Sequence, residues 1–146
     1  MIRSALSAVA LVVAVLAPIR AAAADLPTAV LAPYLQLQTA LAADSLPEAQ
    51  AAAKTLEEQA GRLGPALTIA GVAAGKVAGA ADIKAARAAF GDLSDAMLAL
   101  AGGETGGTDV RIAYCPMAKK SWLQKGTEIA NPYYGSEMLR CGEFKK

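Results

Sequence analysis

The sequence contains no histidine, only two cysteines, and only seven aromatic residues: one tryptophan, four tyrosines and two phenylalanines. Without histidine, Ser-His-Asp triads, histidine general bases and the imidazole ligands of most zinc and type-2 copper sites are excluded. Two cysteines are too few for a four-cysteine zinc site or a cysteine-bound iron–sulfur cluster. Because the common catalytic residue sets are missing, we expect that the protein is not an enzyme.

An excess of charge of one sign is also missing, since 14 basic residues face 13 acidic ones. A nearly neutral chain has no general electrostatic affinity for nucleic acid. The charges are unevenly placed, however. Residues 25–109 carry 5 basic and 10 acidic side chains, whereas residues 110–146 carry 7 basic and 3 acidic ones. This asymmetry predicts that the C-terminal part docks on the part before it.

Residues 1–24 have the pattern of a secretory signal peptide. Arg3 gives a short basic start, residues 5–18 are apolar, and residues 22–24 are the small residues that signal peptidase requires. The apolar run is short for a membrane span, and no cysteine stands directly after it that could carry a lipid anchor. We therefore expect cleavage after Ala24, no membrane span in the mature chain, and an exported protein.

Residues 25–101 carry the periodicity of helices. Apolar residues at helical spacing, preceded by capping residues, predict helices over residues 27–43, 46–62 and 83–100. For the second helix, Ser45 and Glu48 have the spacing of a capping box, and Asp82 is the expected cap of the third. We expect an all-α fold, a small up-and-down bundle of three to four helices.

Three glycines spaced by four, Gly71, Gly75 and Gly79, interrupt this region. Glycine costs about 1 kcal/mol at each interior helix position, which favours a weak, closely packed helix or a partly irregular connection. An interaction motif is the alternative.

After a glycine-rich linker over residues 102–109, residues 110–146 are predicted to form an irregular, aromatic-rich cap packed on the bundle. Residues 110–114 alternate as in a short extended segment, which ends before Pro116. The stretch from Trp122 to Ile129 is predicted to form a turn or short helix. A further helical turn is predicted from Ser136 through Cys141.

Both cysteines and two of the four methionines lie in the cap. Cys115 and Met117 are two residues apart in an extended segment, and Met138 and Cys141 are three apart on a helical turn, so each pair projects to one side. Brought together, the pairs make a site of two thiolates and two thioethers, and such soft donors select copper(I).

A disulfide between Cys115 and Cys141 is the alternative, because paired cysteines in an exported protein more often form a bond than a ligand pair. Such a bond stabilises a small domain by roughly 3 to 4 kcal/mol in the loop-entropy view. The protein would then be a disulfide-stapled interaction module that binds a partner without metal. The methionines favour the metal site, over which Trp122 could lie as an aromatic shield.

The cap closely resembles the C-terminal signature of an uncharacterised family of exported helical domains. The matching segments are residues 114–118 (YCPMA), 122–123 (WL), 129–135 (IANPYYG) and 138–142 (MLRCG), with residues 34–38, 40–44 and 90–94 upstream. Members of this family occur alone in bacterial periplasms or joined to periplasmic adaptor subunits of heavy-metal efflux pumps. The resemblance implies a helical fold, a periplasmic location, copper or related metal handling, and an efflux adaptor as partner.

Overall fold

The computed structural model describes residues 26–102 and 109–146. Within these ranges the N-terminal part is formed by four α-helices and the C-terminal part by a three-stranded antiparallel sheet with its connecting turns. The helices are α1 Thr28–Ala42, α2 Leu46–Leu63, α3 Thr68–Ala78 and α4 Ile83–Leu100. The strands are β1 Val110–Cys115, β2 Lys120–Lys125 and β3 Glu143–Phe144.

The predicted helices are confirmed, with ends that differ by at most one residue. Asp82 begins α4 as expected, because its side chain accepts a hydrogen bond from the Ala85 N–H at 2.7 Å. Within the described part of the chain, the Ser45 side chain makes no capping hydrogen bond to α2, so the capping box is wrong. The start of α2 depends instead on Pro47, whose fixed φ suits the first helical turn.

The glycine-rich segment is the short helix α3, packed closely on α2. A Cβ atom added at Gly71 would lie 3.2 Å from the Cβ of Ala60, and one added at Gly75 would meet the Glu57 carboxylate. The glycines therefore allow a close approach of two helices. Of the two structures predicted for this segment, the closely packed helix is the one observed.

The expectation of an all-α fold is wrong for the C-terminal part. Lys120–Lys125, which overlaps the stretch predicted to be a turn or short helix, is strand β2 and pairs antiparallel with β1. A four-residue turn over residues 116–119 joins the two strands, and β3 pairs along the other side of β1. The pairing partner of a strand is not visible in its local sequence, and the valine, isoleucine and tryptophan of these segments fit a half-buried sheet.

The core runs continuously from the helices into the sheet. Successive helices pack on one another, and β2 packs on α4 and α1. Four aromatic rings follow one another across this contact. Their ring centroids are 5.4 Å apart for Tyr34 and Phe90, 5.6 Å for Phe90 and Tyr133, and 5.8 Å for Tyr133 and Trp122. We call these four residues the aromatic cluster; it joins α1, α4 and β2.

A polar junction also holds the cap on the bundle. Arg87 donates from Nε to the Pro132 carbonyl and from Nη2 to the Leu41 carbonyl, each at 3.0 Å. Its Nη2 also pairs with the Asp44 carboxylate. One guanidinium therefore links α4, the end of α1 and the loop before residue 135. A separate ion pair, Lys120 Nζ to Asp95 Oδ2 at 2.6 Å, connects β2 to α4.

Gly135 completes this junction. Asp44 accepts a hydrogen bond from the Ser136 N–H at 3.0 Å, directly after Gly135. Gly135 has a φ of 56°, and a Cβ atom at this position would collide with Asp44 and with Arg87. The turn can therefore seat on Asp44 and Arg87 only without a side chain at residue 135.

The junction predicts a loss of stability in acid. Hydrogen bonds from Ser136 and Arg87 lower the pKa of Asp44 from 3.8 to about 2. Because this pKa is lower in the folded state, the contribution of Asp44 is fully present above its unfolded pKa and is lost as the pH falls from about 4 to about 2. Urea unfolding at several pH values measures it. The stability difference between wild type and Asp44→Asn should shrink in that window, and a constant difference would contradict the assignment.

No helix in residues 26–102 or 109–146 combines the length and hydrophobicity that crossing a bilayer requires. The predicted signal peptide, residues 1–24, lies outside the described residues, as do residues 103–108 of the predicted linker.

Candidate metal centre

Cys115 and Cys141 meet at one end of the sheet. Cys115 is the last residue of β1, and Cys141 lies two residues before β3. Since β1 and β3 pair with Tyr114 opposite Glu143, the chain returns to the end of β1 as it passes Cys141. The two Sγ atoms are 3.4 Å apart and belong to free thiols. The sheet, which the helical expectation did not include, is what brings the cysteines together.

The turn after Cys115 directs backbone donors at its sulfur. The Ala118 N–H donates to Cys115 Sγ at 3.4 Å, and the Met117 N–H also acts to lower the pKa of both thiols. Pro116 carries no N–H and restrains the start of this turn. The Cys-Pro-Met-Ala turn therefore places N–H donors near Cys115 Sγ, which favours negative charge on this sulfur.

The two thiols differ in acidity. Burial raises the pKa of Cys115, but the hydrogen bonds from Ala118, Cys141, Asn131 and Met117 outweigh it, and the pKa is lowered from its ordinary value. The hydrogen bond that the Cys141 thiol makes to Cys115 raises the pKa of Cys141, and burial adds to this. The surrounding donors therefore favour negative charge on Cys115, with the Cys141 thiol as a hydrogen-bond donor to it.

Asn131 fixes the position of Cys141. Its Nδ2 donates to the Cys141 carbonyl at 2.7 Å, its Oδ1 accepts from the Tyr133 N–H at 2.8 Å, and its own N–H donates to the Leu139 carbonyl at 2.8 Å. The side chain is fully buried. In the sequence, Asn131 stands out only as part of the matching segment 129–135. Asparagine before proline does indicate a side-chain-to-backbone turn, but not its contact ten residues away.

Met117 and Met138 lie in the two turns that carry the cysteines. Met117 is 63% exposed and directly follows the Cys115-Pro116 pair. The Met138 carbonyl accepts a hydrogen bond from the Cys141 N–H at 3.0 Å. The helical turn predicted from Ser136 to Cys141 is wrong, because the 3₁₀ turn covers only Gly135–Glu137 and Met138 has left the helical conformation. Met138 and Cys141 therefore do not share a helix face.

Trp122 is completely buried in the aromatic cluster. Its Nε1–H donates to Gln124 Oε1 at 3.0 Å, and its ring packs edge-on against Tyr133. The tip of the ring would lie 3.1 Å from a Cβ added at Gly142, the residue after Cys141. Trp122 is thus a core residue beneath the chain that carries Cys141. Its role as a shield over an ion stays a prediction.

Gln124 was not singled out in the sequence, yet it organises the loop after β2. Its Oε1 accepts from the Ala130 N–H at 3.0 Å as well as from Trp122, and its Nε2 donates to the Glu128 carbonyl at 2.7 Å. On the bundle side, Gln38 donates to the Ala130 carbonyl at 2.6 Å. Nothing in the local sequence around Gln124 indicates these contacts.

Hydroxyl groups tie the aromatic cluster to β2. Tyr34 accepts a hydrogen bond from the Leu123 N–H at 3.2 Å and lies 2.7 Å from Ser94 Oγ, while Tyr133 donates to the Ser121 carbonyl at 3.0 Å. Burial raises the pKa of Tyr34 and of Tyr133, so both stay protonated at neutral pH. The cluster is therefore structural, and it supports the sheet end at which the cysteines meet.

Neither residues 26–102 nor residues 109–146 contain a group of three or more cysteine or carboxylate side chains that could hold a metal ion. An ion bound by the two thiols would therefore complete its coordination with neutral donors, of which thioethers are the nearest in sequence. A groove of about 620 Å³ lies between α1 and α2, and neither cysteine lines it. Within the described residues, the two free thiols therefore form the candidate metal centre.

The family described as protein of unknown function (DUF3347) matches residues 30–106. The matched segment contains nearly all of the four helices and ends before β1, so the two cysteines lie beyond it. No curated protein and no solved structure matches the chain. The match spans more than half of the 146 residues, and the chain belongs to this DUF3347 family.

Proposed function

We propose that the protein binds copper(I), or a similarly soft ion, in the periplasm as an accessory to metal efflux or homeostasis, and that it is not an enzyme. The observation that carries the proposal is the thiol pair, with 3.4 Å between Cys115 Sγ and Cys141 Sγ at the end of the sheet. Backbone N–H groups of Met117 and Ala118 support negative charge on this pair. Thiolate donors without imidazole favour copper(I) over harder ions.

The spacing of the sulfurs suits one shared ion. Two thiolates bound at about 2.3 Å with a tetrahedral angle lie about 3.8 Å apart. The pair at 3.4 Å would need to open by only a few tenths of an ångström. Cys141 lies outside regular secondary structure and precedes Gly142, whereas Cys115 is held in β1, so Cys141 is the sulfur that would move.

Met117 and Met138 are proposed as the neutral donors. Each lies in the same turn as one of the cysteines, and rotation about the flexible methionine side chain is sufficient to change where the thioether points. The exposure of Met117 would give an arriving ion its first contact with the protein. In this scheme the ion then passes from Met117 to the buried sulfur of Cys115.

The resemblance of the cap to the signature found beside efflux adaptors supports the biological setting. The signature residues lie outside the segment that the family matches, so the adaptor remains part of the proposal. Export to the periplasm is likewise proposed, from the pattern of residues 1–24.

Copper(I) titration of the reduced mature chain, under anaerobic conditions and against a chromophoric copper(I) chelator, tests the proposal. We expect one ion per chain, loss of this binding in the Cys115→Ser, Cys141→Ser double variant, and about tenfold weaker binding in Met117→Leu or Met138→Leu, equivalent to about 1.4 kcal/mol. Met97→Leu is the matched control, because Met97 is fully buried in the helical core. Unchanged affinity in the double cysteine variant would refute copper binding at this site.

The same sulfur proximity also favours a second candidate, the interaction module stapled by a disulfide between Cys115 and Cys141. Here the methionines only fill space, and the cap recognises a periplasmic partner without metal. Thiol counting and elemental analysis on protein purified without reductant separate the two candidates. Two free thiols with bound copper support the metal site, whereas no free thiol and no copper support the staple.

A further inference from the structure

The two cysteines of the pair differ in their exposure to solvent. Cys115 is 0% exposed, whereas Cys141 is partly exposed, and the sulfurs are 3.4 Å apart. We infer that the pair undergoes thiol–disulfide exchange in a fixed order, in which Cys141 reacts with an external disulfide and Cys115 then closes the internal bond. This inference uses the thiols without metal and does not depend on copper binding.

The exchange balances as two displacements. As Cys141 attacks one sulfur of a disulfide R–S–S–R, its proton passes to the Cys115 sulfur 3.4 Å away and the S–S bond of the disulfide breaks; the leaving thiolate then takes this proton, which leaves Cys115 ionised. The Cys115 thiolate then attacks Cys141 Sγ, and the second R–S⁻ leaves and is protonated. The protein loses two protons and two electrons, and the external disulfide is reduced to two thiols.

Burial, rather than acidity, decides which sulfur reacts first, because the more acidic Cys115 is fully buried. An external disulfide must align with the attacking sulfur, and access is one of the factors that set the rate of exchange. Cys115 lies beneath the residue 116–119 turn and faces the Cys141 thiol, so its nearest electrophile is a disulfide already formed on Cys141. An adduct on Cys141 would therefore bring the reactive sulfur to Cys115.

The local backbone allows the second step. A disulfide bond of about 2.05 Å requires the sulfurs to approach by about 1.4 Å from their present separation. Cys115 is fixed in β1 opposite Lys120, but Cys141 lies in the irregular segment between the 3₁₀ turn and β3. Asn131 holds the Cys141 carbonyl and not its side chain, so the sulfur can move while the backbone stays in place.

The test uses the reduced mature chain with a metal chelator and oxidised glutathione, followed by intact mass. In Cys115→Ser, which keeps Cys141, we expect a glutathione adduct to accumulate at least about tenfold faster than in Cys141→Ser, which keeps Cys115. Wild type should instead lose two hydrogens and release two equivalents of glutathione. Equal adduct rates in the two variants, or a lasting adduct on wild type, would overturn the inference.

A measurement on unaltered protein guards against misfolded variants. Reduced wild type is treated briefly with limiting iodoacetamide, then unfolded and treated with a second alkylating reagent of different mass. Trypsin digestion then places the two cysteines on separate peptides, so that the label on each can be read. We expect the first label on Cys141 and the second on Cys115, and preferential first labelling of Cys115 would contradict the proposed order. Since no metal is present, the result is independent of the copper titration.

Discussion

Replacement of Trp122 by alanine is expected to lower the free energy of unfolding by about 3–5 kcal/mol. Trp122 is the largest fully buried side chain among the described residues, and its ring contacts Tyr133 and the chain at Gly142. Removing the ring leaves a cavity where the sheet meets the helices, and the neighbouring tyrosine hydrogen bonds limit how far the site can collapse. Urea unfolding followed by circular dichroism measures the change.

Trp122→Phe and Met117→Leu serve as controls for this variant. Phenylalanine keeps part of the ring contact and should recover much of the lost stability, whereas Met117 is largely exposed and its substitution should change stability by less than about 0.5 kcal/mol. A loss below about 1 kcal/mol in Trp122→Ala would show that the sheet does not depend on this core contact.

Replacement of Arg87 by alanine is expected to cost about 2–3 kcal/mol. The guanidinium donates to the Leu41 and Pro132 carbonyls and pairs with Asp44, so its loss removes one donor from each of three acceptors at a partly buried junction. The exposed Arg62 provides the matched control, for which Arg62→Ala should be nearly neutral.

A double-mutant cycle separates the ion pair from the carbonyl contacts. If the Asp44 carboxylate acts through Arg87, the combined Arg87→Ala, Asp44→Asn variant should be less destabilised than the sum of the single variants. Additive losses would show that the two side chains stabilise the cap independently. Asparagine is suitable at residue 44, because Asp44 has a φ of 59°, which asparagine also tolerates.

The helices could be predicted because their signals are local. The Asp82 cap and the apolar spacing of α4 lie within one stretch of chain, and the structure reproduces both. The capping box at Ser45 failed although its residues were correct, because Pro47 and the turn before it set the start of α2 by backbone conformation. Local patterns therefore predicted the element but not the contact that begins it.

The candidate site was only partly predictable, for a different reason. The sequence identified Cys115 and Cys141 as a pair, but their proximity depends on strand β3, which is two residues long. The roles of Asn131 and Gln124 depend on hydrogen bonds to residues in other turns, and no periodicity encodes those partners. The sequence predicts Met117 in an extended segment and Met138 in a helical turn. In the structure, Met117 lies in the turn at residues 116–119, and Met138 follows the 3₁₀ turn at residues 135–137.

The hydrogen bonds between α1 and the cap also bear on how the protein folds. Tyr34 with Leu123 spans 89 residues of sequence, and Gln38 with Ala130 and Asp44 with Ser136 each span 92. Contacts between residues so far apart in sequence require the closure of a long loop, which costs conformational entropy before the contacts add stability. A high contact order therefore slows folding. During synthesis, the first helix emerges long before its partners in the cap. We therefore expect that the cap packs on α1 only after the complete chain has been synthesised. This packing should be the slow step of folding, after the helices have paired.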